Sequence, residues 1–271
     1  MRFINRQPGN AGQWVLALLP FVLLLLLYIS GSALRLEDNP DDKLLPSLAH
    51  MGQTLQRMAF SEDARTGEYL MLGDTLASLQ RLALGLSIAA LIGLVVGTAS
   101  GVFPLLGAAF SPMMAVVSMV PPLAILPILF ILFGLDELSK VMLIVVGVAP
   151  ILARDLEQRA REIPPEVLIK AQTLGANSWT LVLRVVLPQL LSRLLLSLRL
   201  MMGSAWLFLI SAEAISATSG LGYRIFLVRR YVAMDVILPY VLWITLLAWL
   251  MDYGLRQLHR HAFPWAQGGK A

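Results

Sequence analysis

Apolar residues along this chain do not alternate with polar ones; they gather in long runs separated by short charged stretches. A backbone in lipid must satisfy its N–H and C=O groups within its own segment, so each long run predicts a helix rather than a strand or loop. Six runs fit, at 13–34, 75–101, 106–133, 138–153, 188–215 and 236–255. An acidic stretch follows the first, with Glu37, Asp38, Asp41, Asp42, Glu62, Asp63, Glu68 and Asp74. Inside it, Ser47 is placed to cap a short helix whose Leu48, Met51, Leu55 and Met58 recur every three or four positions. That pattern predicts an amphipathic helix on the membrane surface.

Two runs carry further marks. Gly93, Gly97 and Gly101 fall at four-residue spacing in the second, which predicts a face where a neighbouring helix approaches closely, since lipid supplies no hydrophobic drive for helices to associate. The third is interrupted by Pro121, Pro122 and Pro127, which predicts a kink or break near mid-membrane. A broken helix frees carbonyls to line a cavity, so Pro121 and Pro122 are candidate pathway residues; a static kink is the equal alternative.

Composition agrees with the pattern. Of 271 residues, 58% are hydrophobic and 14% charged, against roughly 45–50% and 25% in soluble domains. There is no cysteine, which excludes disulfides and thiolate metal sites. His50, His259 and His261 form no zinc-protease pattern, so no metal is expected. The net charge of +4 reports orientation rather than nucleic-acid binding. With the N-terminus inside, Arg2, Arg6, Arg154, Arg159, Arg161, Lys170, Arg184, Arg256, Arg260 and Lys270 fall on the cytoplasmic side, as the positive-inside rule requires. Arg224, Arg229 and Arg230 are an external exception. Both termini are expected in the cytoplasm. The run at 14–29 behind Arg2 and Arg6, with Gly31, Ser32 and Ala33 after it, also has the layout of a secretory signal. Its length favours a retained helix.

The most informative stretch joins the fourth and fifth runs. Pro164 and Pro165 suit a first helical turn, where Glu166 adds a favourable charge. A short helix is predicted from there to Leu174, with Gly175 ending it in the left-handed conformation and Asn177 or Ser178 capping the next. Helix, sharp turn and helix make a rigid projection suited to a partner's groove.

Here the chain resembles the permease subunits of bacterial ABC importers of the nitrate, sulfonate and taurine family. Their signature is Glu-Ala-Ala, three residues, Gly, nine residues, Ile, one residue, Leu-Pro. Ala171, Gly175, Val185, Leu187 and Pro188 fall in register with it. So do Leu45-Pro46-Ser47, the segment Gly134 to Lys140, Ala205-Trp206, Ala212-Glu213, the segment Ser219 to Tyr223, and Pro264-Trp265. The likeness runs from about Leu44 to Trp265. One departure stands out: the family's Glu falls on Ile169 and its first Ala on Lys170.

The resemblance implies an all-α transmembrane protein of about six helices, in the type I ABC importer permease fold with a cytoplasmic coupling helix. It implies a bacterial inner-membrane subunit that pairs with a second copy of itself, two ATPase subunits and a periplasmic binding protein. The expected divisions are 1–74 (first helix and external segment), 75–260 (permease core, coupling helix at about 164–178) and 261–271 (tail). Docking falls to Glu166, Lys170, Ala171, Thr173, Leu174, Gly175, Ala176 and Asn177. No G-x-x-x-x-G-K-[ST] loop occurs in the chain, so it is expected to be non-catalytic, with ATP and Mg held by the partner ATPase. The solute is expected to be small and anionic.

Residues within the spans keep two readings each. Glu213 either lines the pathway with Ser211, Trp206, Ser204 and Met201, or pairs with an arginine such as Arg224. Arg193 and Arg199 either attract an anion or reach the cytoplasmic headgroups. Trp14, Trp243, Trp249 and Trp265 suit membrane interfaces. A secondary transporter or channel without an ATPase is the rival function; the inverted repeats and paired intramembrane charges it calls for are not evident in the sequence.

Overall fold

The computed structural model of the chain describes residues 9–40, 42–62, 67 and 69–267. Arg2, Arg6, Asp41, Asp63, Glu68 and Lys270 lie outside the described residues. Every regular element among the described residues is helical. In chain order they are α1 (Asn10–Asp38), α2 (Leu48–Phe60), α3 (Leu70–Val102), α4 (Pro104–Val117), α5 (Leu126–Phe133) behind a 3₁₀ turn over Pro122–Ile125, and α6 (Glu137–Arg161). Then come α7 (Pro165–Thr173), α8 (Ser178–Leu181), a π-helical turn over Val182–Val186, α9 (Leu187–Ser216), α10 (Leu221–Arg229) and α11 (Met234–Ala262).

Among the described residues, Gly12–Asp38, Leu70–Val102, Ser178–Ser216 and Met234–Ala262 are each long and apolar enough to cross a membrane. The pair Pro104–Val117 and Pro122–Phe133, bent by 85°, makes a fifth such path. The run predicted at 138–153 belongs to α6, which continues to Arg161 and so takes Arg154, Asp155, Glu157, Arg159 and Arg161 into a helix rather than a loop. At 25 residues, α6 is about 37 Å long, enough to span on length alone.

The chain divides into two units. One comprises the residues up to Tyr69 together with Val228–Val241. In it, Tyr28 on α1 donates to the Pro46 carbonyl at 2.6 Å and Ser32 to the Leu45 carbonyl at 2.9 Å, so the Leu45-Pro46-Ser47 segment is held by α1 hydroxyls. The Ser47 hydroxyl accepts from the His50 amide at 3.2 Å, the cap that the sequence predicts for α2. The Asp235 carboxylate accepts from Thr54 at 3.0 Å.

The other unit is Leu70–Leu227 with Leu242–Ala271, and its centre is the pairing of α3 with α6. The glycine stripe predicted on α3 is the contact face. A Cβ added to Gly93 would come within 2.7 Å of Leu152 Cβ, and one on Gly97 within 2.7 Å of the Ala153 carbonyl. Gly85 continues the stripe against Ile144, and Gly101 against Ala160. Bare backbone lets Leu82, Ala89, Leu143, Ile144, Leu152 and Leu156 become fully buried. The opposite side of α3 presents Leu72, Leu76, Leu84, Leu91 and Val95 outward, as a lipid-facing surface requires.

The proline break is present. The bend falls at the four residues after Val117, and Ser118 there accepts a hydrogen bond from Arg154 at 2.8 Å. Arg154 is seven residues from the end of α6, about 10 Å at the rise of an α-helix. Pro121 and Pro122 follow an α4 of only 14 residues, so the break comes early in the predicted run.

Candidate functional site

The segment between α6 and α9 forms the predicted projection. Pro165 opens α7, with Glu166 in its first turn and Lys170 in its last. Gly175 has φ of +86°, the region open to glycine at little cost. Its N–H donates to the Gln172 carbonyl at 2.9 Å and that of Ala176 to the Ala171 carbonyl at 3.0 Å. This pair of bonds is a complete Schellman ending. Asn177, one of the two predicted caps, accepts from the Thr180 amide at 2.8 Å and caps α8.

None of the α7 residues is buried. Leu174 is 89% exposed, Trp179 70% and Ile169 57%. Three large apolar side chains on one small element point into open space, whereas Ile163, Leu181 and Val182 at its base are buried. The projection is anchored at its root and bare at its tip. Glu166, Lys170, Thr173, Gly175 and Asn177 are exposed; Ala171 and Ala176 are half-buried.

Between this projection and α9 the helix widens. The Leu187 N–H reaches back five residues to the Val182 carbonyl. Pro188 accounts for the widening, since its ring has no N–H and collides with the carbonyl four residues earlier in an α-helix. The Gln189 side chain donates to the Val185 carbonyl at 2.9 Å, satisfying a group the distortion frees. The Leu-Pro of the signature therefore marks a π turn.

At the opposite end of the core lies a buried charge cluster. Arg81 on α3 donates to Glu213 on α9 at 2.7 Å, to the Ser219 carbonyl at 2.7 Å and to Glu137 on α6 at 2.8 Å. Glu213 is fully buried and also accepts from Ser78 at 2.8 Å and from the Gly222 amide at 2.8 Å. Asp74 accepts from the Gly220 amide at 2.9 Å and from Arg224 at 2.8 Å. Lys140 completes the set, 2.9 Å from Glu137. Glu137 stands in the first turn of α6, ahead of its apolar stretch. The Arg81 guanidinium, assisted by Lys140, holds its carboxyl down at about 2 against the opposing effect of partial burial. Three carboxylates face three cations, so the cluster is neutral. Gly220, at φ +125°, leaves no room for a Cβ, which would meet Glu213 and Arg81 at 2.6 and 2.7 Å.

Glu213 thus pairs with Arg81, and Arg224 with Asp74. Arg81 escaped the sequence reading; its only signal was one arginine in an otherwise apolar run. Arg193 and Arg199 are paired as well, with Asp155 at 3.0 Å and Asp252 at 2.7 Å. Acidic partners on neighbouring helices hold them. Of the remaining pathway candidates, Trp206 is enclosed within the core, and Met201, Ser204 and Ser211 are half-buried on the outer side of α9. Pro121 is exposed and Pro122 half-buried at the break. Trp243 donates to Thr75 at 3.0 Å, and Trp14 is 73% exposed.

Residues 89–265 match the family model for the binding-protein-dependent transport system inner membrane component. The chain is 36% identical over 189 residues to the taurine transport system permease protein TauC of Escherichia coli, covering 70% of this chain and 69% of that one. It is 34% identical to the bicarbonate transport system permease protein CmpB of Synechococcus elongatus, covering 69% and 68%. It is 29% identical to the putative aliphatic sulfonates transport permease protein SsuC of Bacillus subtilis, covering 77% and 75%. Among solved structures, an inward-facing conformation of the MetNI methionine ABC transporter superposes with a TM-score of 0.63 at 20% identity, over 71% of this chain and 95% of that one.

Proposed function

Because this chain belongs to the family of binding-protein-dependent transport system inner membrane components, we propose that it moves a small anionic solute across the bacterial inner membrane, driven by ATPase subunits that seat on α7. It is the permease subunit of an ABC importer. The names of its relatives, which carry taurine, aliphatic sulfonates and bicarbonate, support a cargo that bears an anionic group.

The observation that carries the docking reading is the bare apolar tip: Ile169 and Leu174 exposed on a helix ended by Gly175, and Trp179 exposed on the next, capped by Asn177. Exposed side chains of this size at a rigid corner suit a pocket on a partner, where a few buried anchors dominate binding. Lys170 and Glu166 flank the tip and supply rim charges. With Ile169 where the family has Glu, the contact is more apolar than the family pattern implies. Hydrolysis, with its ATP and Mg, belongs to the partner. Two permease copies flank the path, and the outer side of α9 with Met201, Ser204 and Ser211, together with the break at Pro121 and Pro122, lines it. ATP-driven approach of the two docked α7 helices moves the spans as rigid bodies. Both termini, and α7, face the cytoplasm; a binding protein delivers the solute on the other side.

The chain has no cysteine, which makes a clean test. Leu174→Cys or Trp179→Cys, reacted with a short bifunctional reagent in the complete importer, is expected to cross-link to the ATPase subunit, and an impermeant thiol label is expected to reach either position only in inside-out vesicles. Labelling from the outer face, or cross-links confined to the permease itself, would overturn the docking reading.

A further inference from the structure

Beside the break in the α4–α5 path, the second half of α4 and the last turns of α6 border an open cleft of about 660 Å³. Its polar lining includes Ser111, Ser118, Arg154, Gln158 and Glu157. Its charged lining is Asp155, Glu157 and Glu162 with Arg154 and Arg161, and each carboxylate has an arginine partner, two of these arginines standing outside the lining. Arg161 pairs with Glu157 at 2.6 Å, Arg159 with Glu162 at 2.6 Å and Arg193 with Asp155 at 3.0 Å. Ser111 donates to Glu157 as well. Arg154 differs. Among the described residues it has no carboxylate partner, and its guanidinium donates to the Ser118 hydroxyl at 2.8 Å. Counting Arg159 and Arg193, which pair with the lining carboxylates from outside the lining, four guanidiniums stand against three carboxylates, and Arg154 is the one left over.

A guanidinium carries five N–H donors in a planar fork that matches a sulfonate or carboxylate oxygen pair. One hydroxyl acceptor leaves most of that fork unused, and the cleft beside it has room for a small oxyanion. The partner hydroxyl sits on Ser118, the first residue of the break, so the cation is tied to the point where the bent path opens. We infer that Arg154, with Ser118 beside it, is a station for the anionic group of the transported solute at the inner end of the path. This rests on the importer reading given above and deepens it: the charge of the cargo is recognised by the permease itself, not only by the binding protein. Anionic lipid headgroups share the same chemistry, and the test separates the two sources.

The test uses the complete importer reconstituted in vesicles, with taurine, ethanesulfonate and bicarbonate as probes. Arg154→Gln is expected to lower ATP-driven anion uptake about tenfold, the scale of one lost charge-assisted hydrogen bond, while ATP hydrolysis stimulated by the binding protein stays near normal. Arg154→Lys is expected to keep most of the uptake. Arg154→Cys supplies a check independent of folding, because no other cysteine exists in the chain. Its lost uptake is expected to return when an aminoethyl methanethiosulfonate reagent restores a positive charge, and not when a sulfonatoethyl reagent adds a negative one. Wild-type uptake by Arg154→Gln, or indifference of Arg154→Cys to the sign of the added charge, overturns the station. So does a difference between wild type and Arg154→Gln that vanishes in pure phosphatidylcholine vesicles, which assigns Arg154 to an anionic lipid. Absence of ATP-driven anion uptake by the wild-type complex strikes instead at the importer reading of an anionic cargo.

Discussion

Arg81 of α3 and Glu213 of α9 meet at 2.7 Å with side chains 6% and 0% exposed, and the same arginine reaches Glu137 at the start of α6. One guanidinium thus joins three helices to the Ser219 carbonyl in the loop before α10. Each partner alone would be a charge stranded in low dielectric; together with Ser78 and the Gly222 amide they are satisfied.

Breaking this pair should cost far more than an exposed ion pair is worth. Removal of one member of a buried pair costs about 3–5 kcal/mol because the other remains uncompensated. Arg81→Ala or Glu213→Ala is expected to lower the unfolding midpoint in detergent sharply, whereas Arg81→Met combined with Glu213→Leu should recover much of the loss. A double variant as unstable as the two singles added together would show that Arg81 and Glu213 act independently and are not coupled as a pair.

Gly175 tests the projection. At φ +86°, a β-branched residue meets the steric penalty of the left-handed region, about 1–2 kcal/mol, and the Schellman ending unravels. Gly175→Val is expected to insert and fold normally yet lose uptake and stimulated ATP hydrolysis together. Normal coupled transport by that variant would argue against a rigid docking corner.

The α3–α6 contact predicts opposite outcomes for two glycines in helices. A methyl at Gly97 runs into the Ala153 carbonyl and Leu156, while nothing lies within 4 Å of a Cβ at Gly254. Gly97→Ala is expected to destabilise by about 1–3 kcal/mol through overpacking. Gly254→Ala should be neutral or stabilising by up to about 1 kcal/mol from helix propensity. Thermal unfolding of the purified protein reads both; equal midpoints for the two variants would contradict the packing described.

Glu137 gives a pH signature. Its folded-state value of about 2 lies below the ordinary 4.5, so its contribution is fully present above about pH 4.5 and is lost as pH falls toward 2. The carboxylate is 63% exposed, and solvent screening keeps that contribution small. Between about pH 6 and pH 2.5, the midpoint of the wild type should fall toward that of Glu137→Gln. A gap between the two that stays constant with pH would mean that the Arg81–Glu137 contact does not act through charge.

Local chemistry made much of this readable beforehand. The Ser47 cap, the Gly175 ending and the small-residue face of α3 depend on a few neighbouring residues, and each appears where sequence placed it. The charge pairs were not readable in that way. Arg193, Arg199, Glu213 and Arg224 each had an evident need for a partner, but their partners lie 38, 53, 132 and 150 positions away along the chain. Nothing local distinguishes Asp74 from Glu213 as the mate of Arg224.

The sequence by itself determined that the chain lives in lipid as helices, where their apolar stretches lie, and that a stiff helix–turn–helix corner interrupts them. These follow from hydropathy, backbone hydrogen bonding and the steric freedom of glycine and proline, all of which act over a turn or two. Only the tertiary structure decided which charges meet, that one arginine gathers three helices and a loop, and that Arg154, among the described residues, is left without a carboxylate beside the break. Pairing across helices depends on which faces the packing of α3 against α6 brings together, and that distance information is absent from any single stretch of chain.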